Sequence, residues 1–284
     1  MFKFNFSRQD SDESNVEKTE EKSNRNWLEC IEVLRDTNED TVIQDIFANC
    51  EVNTLQCSDI NIEYFATVDV LNIFRTSDNE SIKKLSVMCA DESHSDLQES
   101  VYEGGMKIWE CTFDLINYLV EDKVPLEGRH VLDLGCGAGL IGLLCLRSGC
   151  SCTFQDYNVE VLKYVTMSNV QLNDEEYCKK CKFYSGDWNS FTDYTRTNEK
   201  YDYIFTSETI YNSSNYSKLH NVFNSLLKPD GVIYVAAKSY YFGVGGSISL
   251  FEDYIVKENK FKSSVCWSNS DGVNRKILKI TFAL

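Results

Sequence analysis

The stretch His130–Gly139, HVLDLGCGAG, decides the fold of this chain. A short apolar strand runs to Leu134 and breaks into glycines that alternate with small residues, and an apolar helical run follows from Leu140. Because glycine has no side chain, a flat ligand can lie directly on the backbone of such a turn. The stretch predicts a strand, turn and helix that bind a nucleoside cofactor.

A second strand, residues 151–155, follows at once and finishes in Asp156. A carboxylate at the carboxyl end of a parallel strand can accept hydrogen bonds from two ribose hydroxyls. Asp156 is therefore a predicted cofactor ligand.

Two cofactors fit the glycine turn. Gly137, Gly139 and Gly142 match the dinucleotide spacing G-x-G-x-x-G. Asp133 favours S-adenosylmethionine, because a carboxylate at the mouth of the turn attracts its cationic amino group and repels a pyrophosphate. We therefore predict S-adenosylmethionine as the cofactor, held by Asp133, Gly135, Gly137 and Asp156.

The rest of the chain alternates strands with helices, which predicts a parallel sheet covered on both faces. The predicted strands are 129–134, 151–155, 182–185, 201–207, 231–237, 261–267 and 275–282, and the predicted helices are 139–148, 159–172, 215–227 and 247–258. Only seven residues, 268–274, separate the last two strands, so they form an antiparallel hairpin. The expected fold is α/β, a seven-strand Rossmann-like methyltransferase sheet with a C-terminal hairpin and a small N-terminal strand layer.

Three regions are expected along the chain: a disordered acidic tail (1–26), an N-terminal accessory region (27–95) and the catalytic domain (96–284). In the accessory region, Trp27–Leu34 allows one or two helical turns. The apolar stretches Ile62–Phe74 and Ile82–Cys89 read as a strand pair joined by a turn. Trp109, Phe113, Ile116 and Val120 are spaced for one helix face.

The net charge of −16 is uneven, since residues 1–95 hold 20 acidic against 9 basic residues. Such a field repels nucleic acid and attracts a basic protein. Twelve scattered cysteines in a long chain predict reduced thiols, and no metal site is expected. With no apolar run of 18 residues and no signal peptide, the sequence predicts a soluble intracellular protein without a membrane segment.

Four motifs carry a resemblance to a known family: VYEGGMKIWECT (101–112), FQDYN (154–158), TSETIY (206–211) and YFGVGG (241–246). They resemble the protein-histidine N-methyltransferases that modify a large-subunit ribosomal protein. The start FKFNF (2–6) is similar too, and the likeness runs from about Ser95 to the C-terminus.

The resemblance implies methyl transfer from S-adenosylmethionine to the tele nitrogen of a histidine in ribosomal protein three of the large subunit, with a role in translation. It also implies a cytoplasmic and nuclear location, nucleolus included. The partner would be a basic protein, with no nucleic-acid or membrane binding, and the chain a monomer. The cofactor contacts that it implies are Ile108, Trp109, Glu110, Cys111, Thr112, Gly135, Gln155, Asp156, Tyr157, Gly186, Asp187, Trp188 and Ser207.

The residues themselves support several of these roles. Asp187 can accept from the adenine amino group, and Trp188 or Tyr157 offers a flat face to the purine. Glu208 and Tyr211 follow the fourth core strand, and we expect Glu208 to orient the target imidazole while Tyr211 forms a pocket wall. The segment Tyr240–Gly246 is expected to be a mobile lip over the substrate, with a rigid turn as the alternative.

Three alternatives stay open at this point. A lysine methyltransferase of the same fold would act on another basic protein, and a cofactor-binding scaffold would show no turnover. A dehydrogenase would bind NADH.

Overall fold

The computed structural model describes residues 28–34, 41–269 and 272–283. The predicted disordered tail, Trp27 and the FKFNF motif lie outside these residues. The strands are β1 Ile31–Glu32, β2 Val52–Cys57, β3 Ile60–Phe65, β4 His130–Leu134, β5 Ser151–Asp156, β6 Cys181–Ser185, β7 Tyr201–Ser207, β8 Leu227–Lys238, β9 Phe261–Asn269 and β10 Arg275–Phe282.

Eleven α-helices lie between and beside these strands along the described part of the chain. They are α1 Thr41–Asn49, α2 Thr67–Thr76, α3 Glu80–Lys83, α4 Ser86–Glu92, α5 Glu110–Glu121, α6 Leu140–Arg147, α7 Val159–Val161, α8 Met167–Asn173, α9 Trp188–Thr195, α10 Tyr216–Leu226 and α11 Ile248–Glu258. A π-helical segment, Leu162–Thr166, joins α7 to α8.

The main sheet has the strand order β1-β6-β5-β4-β7-β8-β10-β9. Strands β6, β5, β4, β7 and β8 are parallel, while β10 is antiparallel to both β8 and β9. Apolar side chains of alternating direction pack in two clusters, one on each face of the sheet. The predicted α/β class, its parallel core and its C-terminal hairpin are confirmed.

One strand of the sheet was not predicted. Residues 31–32 form β1, which pairs antiparallel with the edge strand β6, where helical turns were expected over Trp27–Leu34. An edge strand exposes unpaired backbone groups, and a short added strand covers them. The sheet therefore has eight strands rather than seven.

The prediction of a strand pair from Ile62–Phe74 and Ile82–Cys89 is wrong. The N-terminal strand layer instead consists of β2 and β3, and the chain turns into helix α2 directly after β3. The second stretch is helical, in α3 and α4. Both stretches are apolar and short, so periodicity alone does not separate strand from helix there.

The N-terminal layer packs against the face of the sheet that α5 and α6 cover, and its buried side chains belong to the same apolar cluster. Two asparagines of α8 pair with the free edge of β3. Asn169 Oδ1 accepts from Phe65 N at 2.9 Å, and Asn173 exchanges bonds of 3.0 and 2.6 Å with the backbone of Glu63. These contacts connect the layer to the segment that supports the glycine turn.

Candidate active site

A cleft of about 910 Å³ lies at the carboxyl ends of the parallel strands, the edge at which open α/β sheets bind ligands. Most of the predicted site residues lie together in its wall. They are Ile108, Trp109, Thr112, Gly135, Gly137, Asp156, Tyr157, Asp187, Trp188, Ser207, Glu208 and Tyr211.

The glycine turn forms the floor of this cleft. Gly135 and Gly137 have φ angles of +65° and +50°, which other residues rarely adopt. A Cβ on Gly135 would lie 2.7 Å from Thr209 Cγ2, so the site has no space for a side chain there. Thr166, at the end of the π-helical segment, donates a 2.6 Å hydrogen bond to the Gly137 carbonyl. This hydrogen bond fixes the backbone of the glycine turn on the side away from the cleft.

Asp156 ends β5 beside this turn. Its Oδ2 accepts from Gly137 N at 2.9 Å, and its Oδ1 accepts from Asn158 N at 3.2 Å. Burial raises the pKa of Asp156 to about 6, so the carboxylate is largely ionised at pH 7. Its position suits the predicted ribose contact.

Asp133 does not lie at the mouth of the turn, so the predicted position of this side chain is wrong. The side chain points to the same side of β4 as Val131, toward α6, and Oδ2 accepts from Gly142 N at 2.8 Å. Only 1% of the residue is exposed, and burial raises the pKa of Asp133 to about 8. Burial thus disfavours the charged form of this carboxyl and keeps it away from a ligand in the cleft.

Gln155 and Gly186 also lie outside the wall of the cleft. They are connected to it through Trp188, which does line the cleft. Gln155 is fully buried; its Nε2 donates to the Gly186 carbonyl at 2.8 Å, and its Oε1 accepts from Trp188 Nε1 at 2.9 Å. The amide therefore fixes the plane of the Trp188 ring, which lines the cleft. These two residues position the aromatic face of Trp188, and their own predicted cofactor contacts stay predictions.

Asp187 caps helix α9 and faces the same end of the cleft. Its Oδ1 accepts from Asn189 N at 2.9 Å, and its Oδ2 lies 2.6 Å from Lys218 Nζ. Both side chains of this pair are buried. The lysine was not predicted, since nothing in the sequence places α10 next to the Gly186–Trp188 turn.

Of the predicted site residues at the start of α5, some line the cleft and others do not. Thr112 Oγ1 lies 2.8 Å from Ser207 Oγ in its wall, and Trp109 lines it as well. Glu110 and Cys111 do not. Glu110 is half exposed and forms an ion pair with Lys238 at 3.1 Å, and the Cys111 thiol is buried against Glu208, with its pKa raised by burial and by that carboxylate.

A second, more apolar cavity of about 920 Å³ adjoins the cleft. Four side chains line both: Glu103, Trp109, Glu208 and Tyr211. Lys238, Tyr240, Tyr241, Phe242, Val244, Val273 and Leu97 complete its wall. Below, the two are called the cofactor cleft and the acceptor cavity.

Glu208 lies at this boundary in a strained backbone conformation, with φ of +58°. Its Oε2 accepts from the Tyr241 hydroxyl at 2.6 Å, and Lys238 Nζ lies 3.6 Å from Oε1. Oε1 is buried and lacks a hydrogen-bond partner. The carboxylate is therefore anchored at one oxygen and retains an acceptor at the other.

Tyr211 forms the opposite part of the boundary. Its hydroxyl donates a short hydrogen bond to Glu103, which also accepts from Ser100 N at 2.7 Å. Burial raises the pKa of Tyr211 well above its usual value, so the hydroxyl keeps its proton. Glu103 was not predicted as a site residue, although it belongs to the 101–112 motif.

The segment Tyr240–Gly246 is a hydrogen-bonded turn. Gly246 N donates to the Tyr211 carbonyl at 2.7 Å, and Tyr241 N donates to the Gly246 carbonyl at 3.0 Å. A Cβ on Gly246 would lie 2.1 Å from the Ile210 carbonyl oxygen, so only glycine fits. The rings of Tyr240 and Phe242 are exposed at its tip. These contacts fix both ends of the turn, and its exposed tip stays the predicted lip over the substrate.

Among the residues that the structure describes, no group of three His, Cys, Asp or Glu side chains could hold a metal ion. No helix in this part of the chain has the length and apolar character needed to cross a membrane.

The parallel sheet with its terminal antiparallel hairpin, the glycine turn and the acid after the second parallel strand together define a methyltransferase of the seven-strand class. Residues 90–242, more than half of the chain, match the protein family described as "Lysine methyltransferase". The chain belongs to this methyltransferase family, and S-adenosylmethionine is confirmed as its cofactor.

Individual relatives have a more specific name. The "Histidine protein methyltransferase 1 homolog" of Dictyostelium discoideum is 44% identical over 189 residues, which cover 66% of this chain and 60% of that protein. The homolog of the same name in Bos taurus is 42% identical over 218 residues, covering 67% and 58%. The chain thus spans about three fifths of the length of these relatives.

Among solved structures, magnesium protoporphyrin IX methyltransferase from Synechocystis PCC 6803, with bound SAH, has a TM-score of 0.48. It is 12% identical, and the match covers 76% of this chain and 94% of that one.

Proposed function

We propose that this chain is a protein-histidine N-methyltransferase. The observation that carries the proposal is Glu208, which lines both cavities and keeps Oε1 buried without a hydrogen-bond partner. Lys238 Nζ, a neighbour of opposite charge, is 3.6 Å from this oxygen, and a buried acceptor without a hydrogen bond is rare in proteins. The N–H of an imidazole placed between the cofactor cleft and the acceptor cavity would satisfy it.

The cofactor cleft fits S-adenosylmethionine by charge. Four carboxylates line it, those of Glu103, Asp156, Asp187 and Glu208, against the two ammonium groups of Lys107 and Lys218. The excess of negative charge favours a cationic ligand. When bound, this cofactor supplies an electrophilic methyl group on a positively charged sulfur.

Individual side chains of the cleft have distinct roles toward that ligand. Asp156 accepts from the ribose hydroxyls, and Tyr157 and Trp188 offer flat faces to the purine. Asp187, held by Lys218, accepts from the adenine amino group. Gln155 keeps the Trp188 ring in place.

A histidine acceptor is already nucleophilic, so the protein has only to orient its imidazole toward the methyl group. An imidazole has a pKa of about 6.5 and is mostly neutral at pH 7, whereas a lysine of pKa about 10.4 must first lose a proton. When Glu208 accepts the N–H of one ring nitrogen, the other nitrogen presents its lone pair to the methyl group. Methyl transfer would form a nitrogen–carbon bond and leave the sulfur as a neutral thioether. Glu208 would then receive the N–H proton of the methylated ring.

The name of the relatives at 42–44% identity supports histidine as the target. The resemblance of the four motifs supports a finer proposal, namely the tele nitrogen of a histidine in ribosomal protein three of the large subunit, a role in translation and a cytoplasmic and nuclear location. The net charge of −16 fits a basic protein partner.

The experiment is to incubate the protein with labelled cofactor and an undermethylated ribosome extract, identify the labelled band and hydrolyse it. We expect tele-methylhistidine in the hydrolysate. Methyllysine, to which the description of the matched family points, would contradict histidine as the target. Cofactor binding by calorimetry without any labelled product would support a scaffold role instead.

A further inference from the structure

Lys238 ends β8 and lies in the wall of the acceptor cavity, with 10% of its side chain exposed. Its Nζ is 3.1 Å from Oε2 of Glu110 and 3.6 Å from Oε1 of Glu208. The same nitrogen lies 5.1 Å from the centre of the Trp109 ring. Two carboxylates and an aromatic face thus surround one ammonium group.

The ammonium group of a substrate lysine would need the same surroundings in this cavity: a carboxylate and an aromatic face beside it. A substrate lysine arrives as an ammonium ion at pH 7. Of the two carboxylates that line both cavities, Glu103 and Glu208, it is Glu208 that lies beside Lys238. Lys238 already holds a positive charge beside that carboxylate. Where water is excluded, two like charges a few ångströms apart repel strongly.

We propose that Lys238 determines acceptor specificity: its ammonium group takes the place of a substrate ammonium beside Glu208 and so rejects lysine in favour of neutral imidazole. The inference rests on the proposed histidine methyl transfer and adds the residue that distinguishes the two acceptors. Specificity of this kind arises from a repulsive element against the wrong substrate.

The test uses two peptides that are identical except for the acceptor, histidine in one and lysine in the other. Methyl transfer to both is measured for the wild-type chain and for two variants. Lys238→Met keeps an unbranched side chain one atom shorter and removes the charge, and Lys238→Arg keeps the charge. We expect Lys238→Met to lower the ratio of histidine to lysine methylation at least about tenfold, and Lys238→Arg to change it less than about threefold.

A folded Lys238→Met variant with the wild-type ratio would overturn the inference. If that variant transfers no methyl group, the ratio of the two peptide Kd values with S-adenosylhomocysteine present decides in the same way. Loss of structure would lower binding of both peptides and leave their ratio unchanged. A wild-type chain that labels the lysine peptide and not the histidine peptide contradicts the proposed function itself.

Discussion

The Tyr241 hydroxyl donates a 2.6 Å hydrogen bond to Oε2 of Glu208. Both side chains are buried, Glu208 at the boundary between the two cavities and Tyr241 in the wall of the acceptor cavity. Burial and the neighbouring carboxylate raise the pKa of Tyr241 well above its usual value. The hydroxyl therefore stays protonated and fixes the rotamer in which Glu208 Oε1 remains available as an acceptor.

Tyr241→Phe removes this anchor and leaves the carboxylate in place. We expect kcat for a histidine peptide to fall about tenfold, because misplacement of an orienting group is costly, while the cofactor Kd changes little. The buried oxygen loses its donor, so the free energy of unfolding should fall by about 1–3 kcal/mol. Steady-state kinetics and urea unfolding measure both quantities. An unchanged kcat would show that Glu208 does not depend on the tyrosine.

The two aspartates near the glycine turn provide a matched pair. Asp156→Asn alters a carboxylate in the wall of the cofactor cleft, whereas Asp133→Asn alters one that points toward α6. We expect the first to raise the S-adenosylmethionine Kd by about tenfold, since a hydrogen bond to a charged group is lost, and the second to raise it less than about threefold. Calorimetry measures both constants. Equal losses would restore Asp133 as a cofactor contact.

Asp133 also predicts a pH dependence of stability. Its pKa is about 8 in the folded chain, against about 3.9 in an unfolded one. Between these values the folded state binds more protons, so the contribution is fully present below about pH 4 and is lost as the pH rises through 8. Asp133→Asn keeps an acceptor for Gly142 N and cannot ionise.

We therefore expect the Tm of the wild-type chain to fall more steeply between pH 5 and pH 8 than that of Asp133→Asn. Asp156, whose pKa is about 6, contributes with the same sign to both proteins and cancels in the comparison. Calorimetric scans across this range measure the difference. Parallel Tm curves would contradict the assigned burial of Asp133.

Substitution of Phe242 should weaken binding of the protein substrate and leave binding of the cofactor unchanged. Its ring is 78% exposed at the tip of the 240–246 turn and lines the acceptor cavity. Phe242→Ala should raise the peptide KM about tenfold, because an exposed aromatic anchor contributes to binding, and should leave the cofactor Kd unchanged. Val256→Ala, an equally exposed apolar residue on α11, is the control. Equal losses in KM and Kd would indicate unfolding.

The sequence predicted the parallel core well because strands and helices alternate regularly along it. Gly135 and Gly149 mark ends of these elements. β4 and β5 end close to the predicted residues, and the C-terminal hairpin follows from a loop too short for a crossover helix. The N-terminal layer was mispredicted because β3 and α2 meet at Ala66 with no turn residue between them.

Some residues of the candidate site could also be predicted from the sequence, and others could not. Residues directly after parallel strands, such as Asp156, Asp187 and Glu208, could be placed from the sequence because the carboxyl ends of these strands meet at one edge. Asp133 was misplaced although the period of two on β4 puts it on the side of Val131. Lys218 and Lys238 could not be found, since their roles depend on contacts between segments distant in sequence.

The most direct test of Glu208 as the group that orients the acceptor is the rate of methyl transfer to a histidine peptide by Glu208→Gln at saturating cofactor. The amide keeps the size of the side chain and loses one acceptor oxygen. We expect the rate to fall roughly 10²-fold, with the cofactor Kd within about threefold of the wild-type value. An unchanged rate would remove Glu208 from the mechanism and contradict the account of the site.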